Sequence, residues 1–248
     1  MKQKIQSMLE QIAQQHSIEI LYACESGSRA WGFPSTDSDY DVRFIYKRKL
    51  PEYLSVCTVE DQLVFPIDQQ LDVYGWDLKK VLQLLSKSNA TPFEWLQSPM
   101  VYQEHPCFKK ELMPLLSEYF SARTQVFHYL GIARSALDTM HNNQIKSKKL
   151  FYVLRPLLAA QWIVDKGEYP PMNIQPLLQI APIEIQSVLQ QMIVEKSYET
   201  EAMYLTPNAY LLNFIFQTME NLSVKASEFT AVRFEIDKLN TSFQKMIQ

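Results

Sequence analysis

The residues in this sequence best suited to chemistry are three carboxylates and one tight turn. Asp39 and Asp41 stand one residue apart and lead into the run 42–46, which reads as a strand. Positions two apart in a strand share a face, so the two carboxylates point one way while Tyr40, Val42 and Phe44 point the other. Upstream, Gly27 and Ser28 follow an apolar run. A glycine followed by a small hydroxyl residue there gives a turn whose backbone N–H groups can hold a phosphate at the start of a short helix. Paired carboxylates beside such a turn suit a divalent metal with a triphosphate. Oxygen ligands favour Mg²⁺, with Mn²⁺ as a substitute, and Mg²⁺ takes one or two carboxylates and completes its shell from phosphates and water. A third carboxylate, Asp72, lies on the next strand, where it shares a face with Tyr74 and opposes Leu71 and Val73. Its neighbours Asp68 and Asp77 have simpler explanations, Asp68 as a loop residue after Pro66 and Asp77 as a helix cap. Arg29, beside the turn, reads either as a surface arginine or as a contact to the triphosphate.

These residues need elements to position them. Residues 18–24 form a buried apolar strand, 28–32 a short helix, 40–47 a second strand and 69–74 a third that ends at Gly75. Ile5, Met8, Leu9 and Ile12 make 2–15 an amphipathic first helix. Leu78, Val81, Leu82 and Leu85 stripe a helix over 78–87, and Thr91–Leu96 opens another with proline in its first turn. Residues 56–65 read as either a hairpin strand or a loop strand. From Pro106 onward the pattern is helical, over 106–119, 122–141, 147–166, 173–179, 182–196, 207–222 and 229–246, with Pro156 expected to kink or end a turn. The expected organisation is an α+β domain over 1–105, a short mixed sheet with flanking helices, followed by a helical bundle over 106–248. Trp31, Trp76 and Trp95 read as core rather than as platforms for stacked bases.

A Gly-Ser turn followed at this spacing by Asp-x-Asp resembles the signature of the DNA polymerase β-like nucleotidyltransferase superfamily. Four blocks, Ala23–Phe33, Asp37–Tyr46, Gly75–Lys80 and Phe151–Leu158, are similar to one branch of it, the predicted nucleotidyltransferases grouped with RNA repair pathways (RlaP-like). The resemblance implies a polymerase β-like core and an in-line displacement assisted by two Mg²⁺ ions. Asp39 and Asp41 would then serve both ions, and Asp72 the ion that activates the acceptor hydroxyl. Ser28 and the Gly27 turn would position the terminal phosphates.

Composition sets bounds. The net charge of −3 gives no chain-wide attraction to nucleic acid, so an RNA partner would need a local basic patch. One candidate is the stripe Lys148, Tyr152 and Arg155, spaced i, i+4 and i+7 on a helix, with the basic groups expected near the triphosphate and Tyr152 placed to stack on a base. The same stripe is also an ordinary solvated helix face. Three scattered cysteines fit reduced thiols in a cytoplasm better than a disulfide framework. The four histidines show no ligand spacing with them, which disfavours zinc. Residues 1–16 lack the apolar run of a signal peptide, and no run approaches the roughly 18 apolar residues of a membrane span. The sequence reading is thus of a cytoplasmic metal-dependent nucleotidyltransferase that uses a nucleoside triphosphate, with an RNA end as acceptor. A protein side chain or small molecule as acceptor, and a non-catalytic nucleotide-binding module, stay open as alternatives.

Overall fold

Five strands form one mixed sheet in the order β3-β4-β2-β1-β5: β1 Glu19–Ser26, β2 Tyr40–Lys47, β3 Gln62–Val64, β4 Leu71–Asp77 and β5 Val101–Glu104. A computed structural model describes residues 1–67, 70–198 and 203–248 of the chain. The start of the third expected strand at Gln69, and the loop carboxylate Asp68, lie outside the described residues. β2 runs parallel to β4 and antiparallel to β1. The helix α1, Lys2–Gln15, buries Ile5, Leu9 and Ile12 in one cluster with Val42, Phe44, Tyr46, Leu71 and Val73, the apolar face expected from the alternation of β2 and β4. Each such side chain contributes roughly 1.5–3 kcal/mol when fully buried. Gly75 belongs to this face, and a Cβ there would run into the Phe44 ring, so the strand can carry only glycine opposite that phenylalanine.

The chain divides into two compact units, and the division differs from a single boundary after residue 105. The first unit holds 1–30, 39–119 and 233–248. Besides the sheet and α1 it contains most of α2, Gly27–Trp31, with α3 Leu50–Tyr53, α4 Leu78–Leu85, α5 Ala90–Leu96, α6 Phe108–Glu118 and, from the far end of the chain, α12 Asp237–Ile247. Named contacts tie α12 in: Lys47 Nζ donates to the Met246 carbonyl at 2.9 Å, and Phe243 meets Tyr53 edge-on at 5.1 Å. The cap of α4 is as the sequence suggests, with Asp77 accepting from the Lys79 N–H, and α5 is capped in the same way by Asn89, which accepts from the Thr91 N–H.

The second unit holds 31–38 and 120–232. Its helices are α7 Ala122–Leu137, α8 Ser147–Lys166, α9 Ile174–Leu178, α10 Ile183–Tyr198 and α11 Ala209–Glu228. Two short strands, β6 Ile145–Lys146 and β7 Tyr204–Leu205, pair antiparallel where the sequence shows no strand pattern. α8 is buried around most of its circumference, packs on α7 and α11, and runs through Pro156 without ending. A helix enclosed in this way is held by packing, which outweighs the backbone bond that proline removes. The segment 31–38 joins this unit because Phe33 stacks on Phe151 at 4.5 Å and its carbonyl accepts from the buried Lys196 at 2.9 Å. No helix among the described residues is long and apolar enough to cross a membrane.

Candidate active site

The parallel register of β2 and β4 sets Asp41 directly beside Asp72. Both carboxylates are partly exposed, at 24% and 32% of the side chain, on the sheet face opposite the α1 cluster. Between them sits Arg43, two residues along β2 and on the same face. Its Nη2 donates to Asp41 Oδ1 and to Asp72 Oδ2, each at 2.8 Å. Its Nη1 donates to the Asp72 carbonyl at 2.7 Å and to the Val42 carbonyl at 3.1 Å. The guanidinium lies 4.0 Å from the centroid of Tyr74, the residue beside it on β4. Beyond Tyr74 the same face continues into Trp76, stacked on Trp95 at 4.3 Å, so Trp95 is core as the sequence suggests.

The turn that ends β1 is shaped around Asp41. Gly27 has φ +59°, and a Cβ there would overlap Asp41 Oδ2 and stand 2.7 Å from its Cγ. Glycine is therefore needed twice at this position, for a left-handed backbone and for the space the carboxylate fills. Ser28 follows as a buried residue at the start of the five-residue α2. Just before the turn, Glu25 is fully buried and accepts the Asp41 N–H on Oε1 at 2.8 Å and the Tyr102 hydroxyl on Oε2. Burial pushes the Glu25 carboxyl above its ordinary range, while the hydrogen bonds from Tyr102 and the Asp41 amide act against that rise. Ser98 donates to the Glu25 carbonyl at 2.6 Å, which fixes this stretch of β1 from the other side.

Sequence reasoning missed Arg43, Glu25 and Tyr102. Arg43 left one signal, a charged residue sharing a strand face with Asp41, whereas the partnership of Glu25 with Tyr102 spans 77 positions and leaves none.

Other expected site residues are placed differently. Asp39 stands just before β2; its carbonyl accepts from Arg29 Nε at 3.1 Å, and its carboxylate is not part of the Arg43-bridged pair. Arg29 lies 3.9 Å from the Tyr40 ring centroid, so its guanidinium braces the segment leading into β2. Among the described residues no three His, Cys, Asp or Glu side chains are grouped to hold an ion. One member of the stripe on α8 is buried. Arg155 is 2% exposed, donates from Nε and Nη2 to the Met172 carbonyl at 3.2 and 2.9 Å, and lies 4.5 Å from the Trp31 ring centroid. On this largely buried helix the guanidinium is met by the Met172 carbonyl, as a buried charged donor requires. Tyr152 meets Trp31 edge-on at 5.2 Å, and Lys148 is half-buried.

The fit of a divalent cation is tested by what already lies between the two strand carboxylates. A single cationic nitrogen stands at hydrogen-bond distance from an oxygen of each, so the pair converges on positive charge. Carboxylate oxygens are also the hard donors that Mg²⁺ prefers. Asp77, the competing carboxylate, lies at the opposite end of β4 and lines a separate cavity of about 330 Å³ with Arg48, Tyr53 and Lys80. Its oxygens serve the α4 cap and the Tyr53 hydroxyl.

A mixed sheet with a Gly-Ser turn at the end of its first strand and acidic residues on two parallel neighbours is the core of a polymerase β-like nucleotidyltransferase fold. Residues 1–245 match the RlaP family, described as the RNA repair pathway DNA polymerase beta family, and the chain belongs to it. It is 40% identical over 234 residues to YcgL of Bacillus subtilis (strain 168), described as an uncharacterized protein, covering 93% of this chain and 90% of that one. Among solved structures it is similar to a nucleotidyltransferase-like protein from Exiguobacterium sibiricum 255-15. That likeness has a TM-score of 0.33 and 11% identity, over 98% of this chain and 79% of the other.

Proposed function

We propose that the protein is a metal-dependent nucleotidyltransferase that moves a nucleoside monophosphate from a nucleoside triphosphate to a hydroxyl acceptor, with an RNA end as that acceptor. The observation that carries the reading is the in-register pair Asp41 and Asp72, set against the Gly27 turn in a chain of this family. In the step, the acceptor oxygen bonds to the α-phosphorus, the bond from that phosphorus to the bridging oxygen breaks, and pyrophosphate leaves. The hydroxyl proton passes to a carboxylate of the set. Asp41 and Asp72, with Asp39 just before β2, are the residues that would hold Mg²⁺ or Mn²⁺. When bound, the metal would lower the pKa of the attacking hydroxyl and offset charge on the departing pyrophosphate.

The chain's own residues supply the rest of the arrangement. Glu25 holds the Asp41 peptide, Gly27 leaves room for its carboxylate, and Arg43 keeps two neighbouring negative charges in register. The backbone of the Gly27–Ser28 turn is where the terminal phosphates are proposed to dock.

Incubation with each α-labelled nucleoside triphosphate, Mg²⁺, total cellular RNA and total cellular protein tests the reading. Label in RNA that depends on Asp41 supports it. Label in protein or in small molecules alone replaces the acceptor, and label in no pool with any of the triphosphates contradicts the activity.

A further inference from the structure

Arg43 is held too completely to be a surface arm that happens to touch two acids. Its side chain is 8% exposed, and both terminal nitrogens are engaged, by two carboxylates and two backbone carbonyls. The Tyr74 ring covers the guanidinium at 4.0 Å. Planar guanidinium suits this task because its donors lie in a fixed fork, which a lysine ammonium lacks. The group therefore belongs to the resting arrangement of the site, and its charge lies where a divalent ion shared by Asp41 and Asp72 would sit.

We propose that Arg43 is a positioning residue that occupies the cation position between Asp41 and Asp72, so that a free divalent ion must compete with its guanidinium. This rests on the reading of the two carboxylates as metal ligands. Two carboxylates with one guanidinium between them present one net negative charge instead of two. Free metal is then bound weakly, and an ion that arrives on a triphosphate, bringing phosphate oxygens with it, is favoured over a bare ion. Arg43 thus couples metal loading to nucleotide loading while keeping the carboxylates in place before either arrives.

The test uses Mn²⁺ alone, followed through the electron paramagnetic resonance signal of the free ion, with the full chain and no turnover. Arg43→Gln and Arg43→Met remove the charge and should tighten Mn²⁺ binding by about tenfold. Arg43→Lys keeps the charge and should stay within about threefold of the parent. A purely structural role predicts the opposite sign, since a loosened site binds metal less well. Thermal unfolding identifies which variants are folded, and Arg43→Gln, which retains an amide donor, guards against loss of Arg43→Met. If folded Arg43→Gln binds Mn²⁺ no more tightly than the parent, the inference is overturned. Adding Asp41→Asn or Asp72→Asn to Arg43→Gln separates the two claims. Loss of the bound ion in those double variants keeps the metal reading whatever Arg43 does. Unchanged binding in them, or no Mn²⁺ binding by any variant, overturns the metal reading and the inference together.

Discussion

Replacing Gly27 with alanine is the smallest change that strikes both requirements of the turn. The backbone at φ +59° costs a side-chain-bearing residue about 1–2 kcal/mol relative to glycine. The new methyl group would also stand inside the space of the Asp41 carboxylate, 2.7 Å from its Cγ. Asp41 lies on a central strand paired on both sides, so the backbone cannot retreat and the side chain must rotate. Rotation breaks the 2.8 Å ion pair with Arg43, adding roughly 1 kcal/mol, for a total loss of about 2–3 kcal/mol. Urea unfolding measures that loss. Activity should suffer more than stability does, because the displaced group is a proposed metal ligand. A fall of at least about 100-fold in kcat, near 2.7 kcal/mol of barrier, is expected in protein that is still folded. The collision falls on Asp41 itself, so the loss is of catalysis rather than only of phosphate binding at the turn. Gly27→Ala with stability within about 0.5 kcal/mol of the parent and more than a tenth of its kcat would show that the turn does not depend on glycine to seat Asp41.

Asp77 supplies a contrast, because burial raises its pKa and its role is structural. A carboxyl whose folded pKa exceeds the unfolded value contributes stability that is present below the unfolded pKa and lost as pH rises through the folded one. Asp77→Asn keeps a side-chain oxygen for the cap and should flatten that part of the stability–pH curve, changing stability at neutral pH by less than about 1 kcal/mol. Asp77→Ala, which leaves the Lys79 N–H and Tyr53 hydroxyl unmet, should cost about 1–2 kcal/mol, and a loss of Mn²⁺ binding in Asp77→Asn would show it to be a ligand after all. Arg155→Met should lower stability by roughly 2–3 kcal/mol, because the Met172 carbonyl loses a charged donor and Trp31 its cation partner; unchanged thermal unfolding would deny the guanidinium a part in the fold.

Local signals in the sequence carried far, and their limit was physical. Alternation along 40–46 placed Asp41 and the Val42–Phe44 face correctly, and the Asp77 cap marked the start of α4. β5 was missed because four residues at a sheet edge are too short to display a period. Unit membership was illegible for another reason. Phe33 joins the helices through Phe151, and the C-terminal helix joins the sheet unit through contacts such as Lys47 to Met246, nearly 200 residues apart. No composition shift announces either arrangement. Arg155 looked like one member of a basic stripe because helical spacing reports direction around the axis, whereas burial depends on what packs there. Arg43 was passed over because pairing of its strand with β4, which brings Asp72 to it, is a long-range fact.

Transfer of label from an α-labelled nucleoside triphosphate into RNA, by the parent protein and by Asp41→Asn, tests the proposed activity. Asparagine is nearly isosteric with aspartate, so the fold should persist while the charge is lost, and circular dichroism and thermal unfolding would check that. Mg²⁺-dependent labelling of RNA is expected of the parent, with a loss of more than about 100-fold in the variant, at least about 2.7 kcal/mol of transition-state stabilisation. Labelling by folded Asp41→Asn at more than a tenth of the parent rate would contradict that expectation.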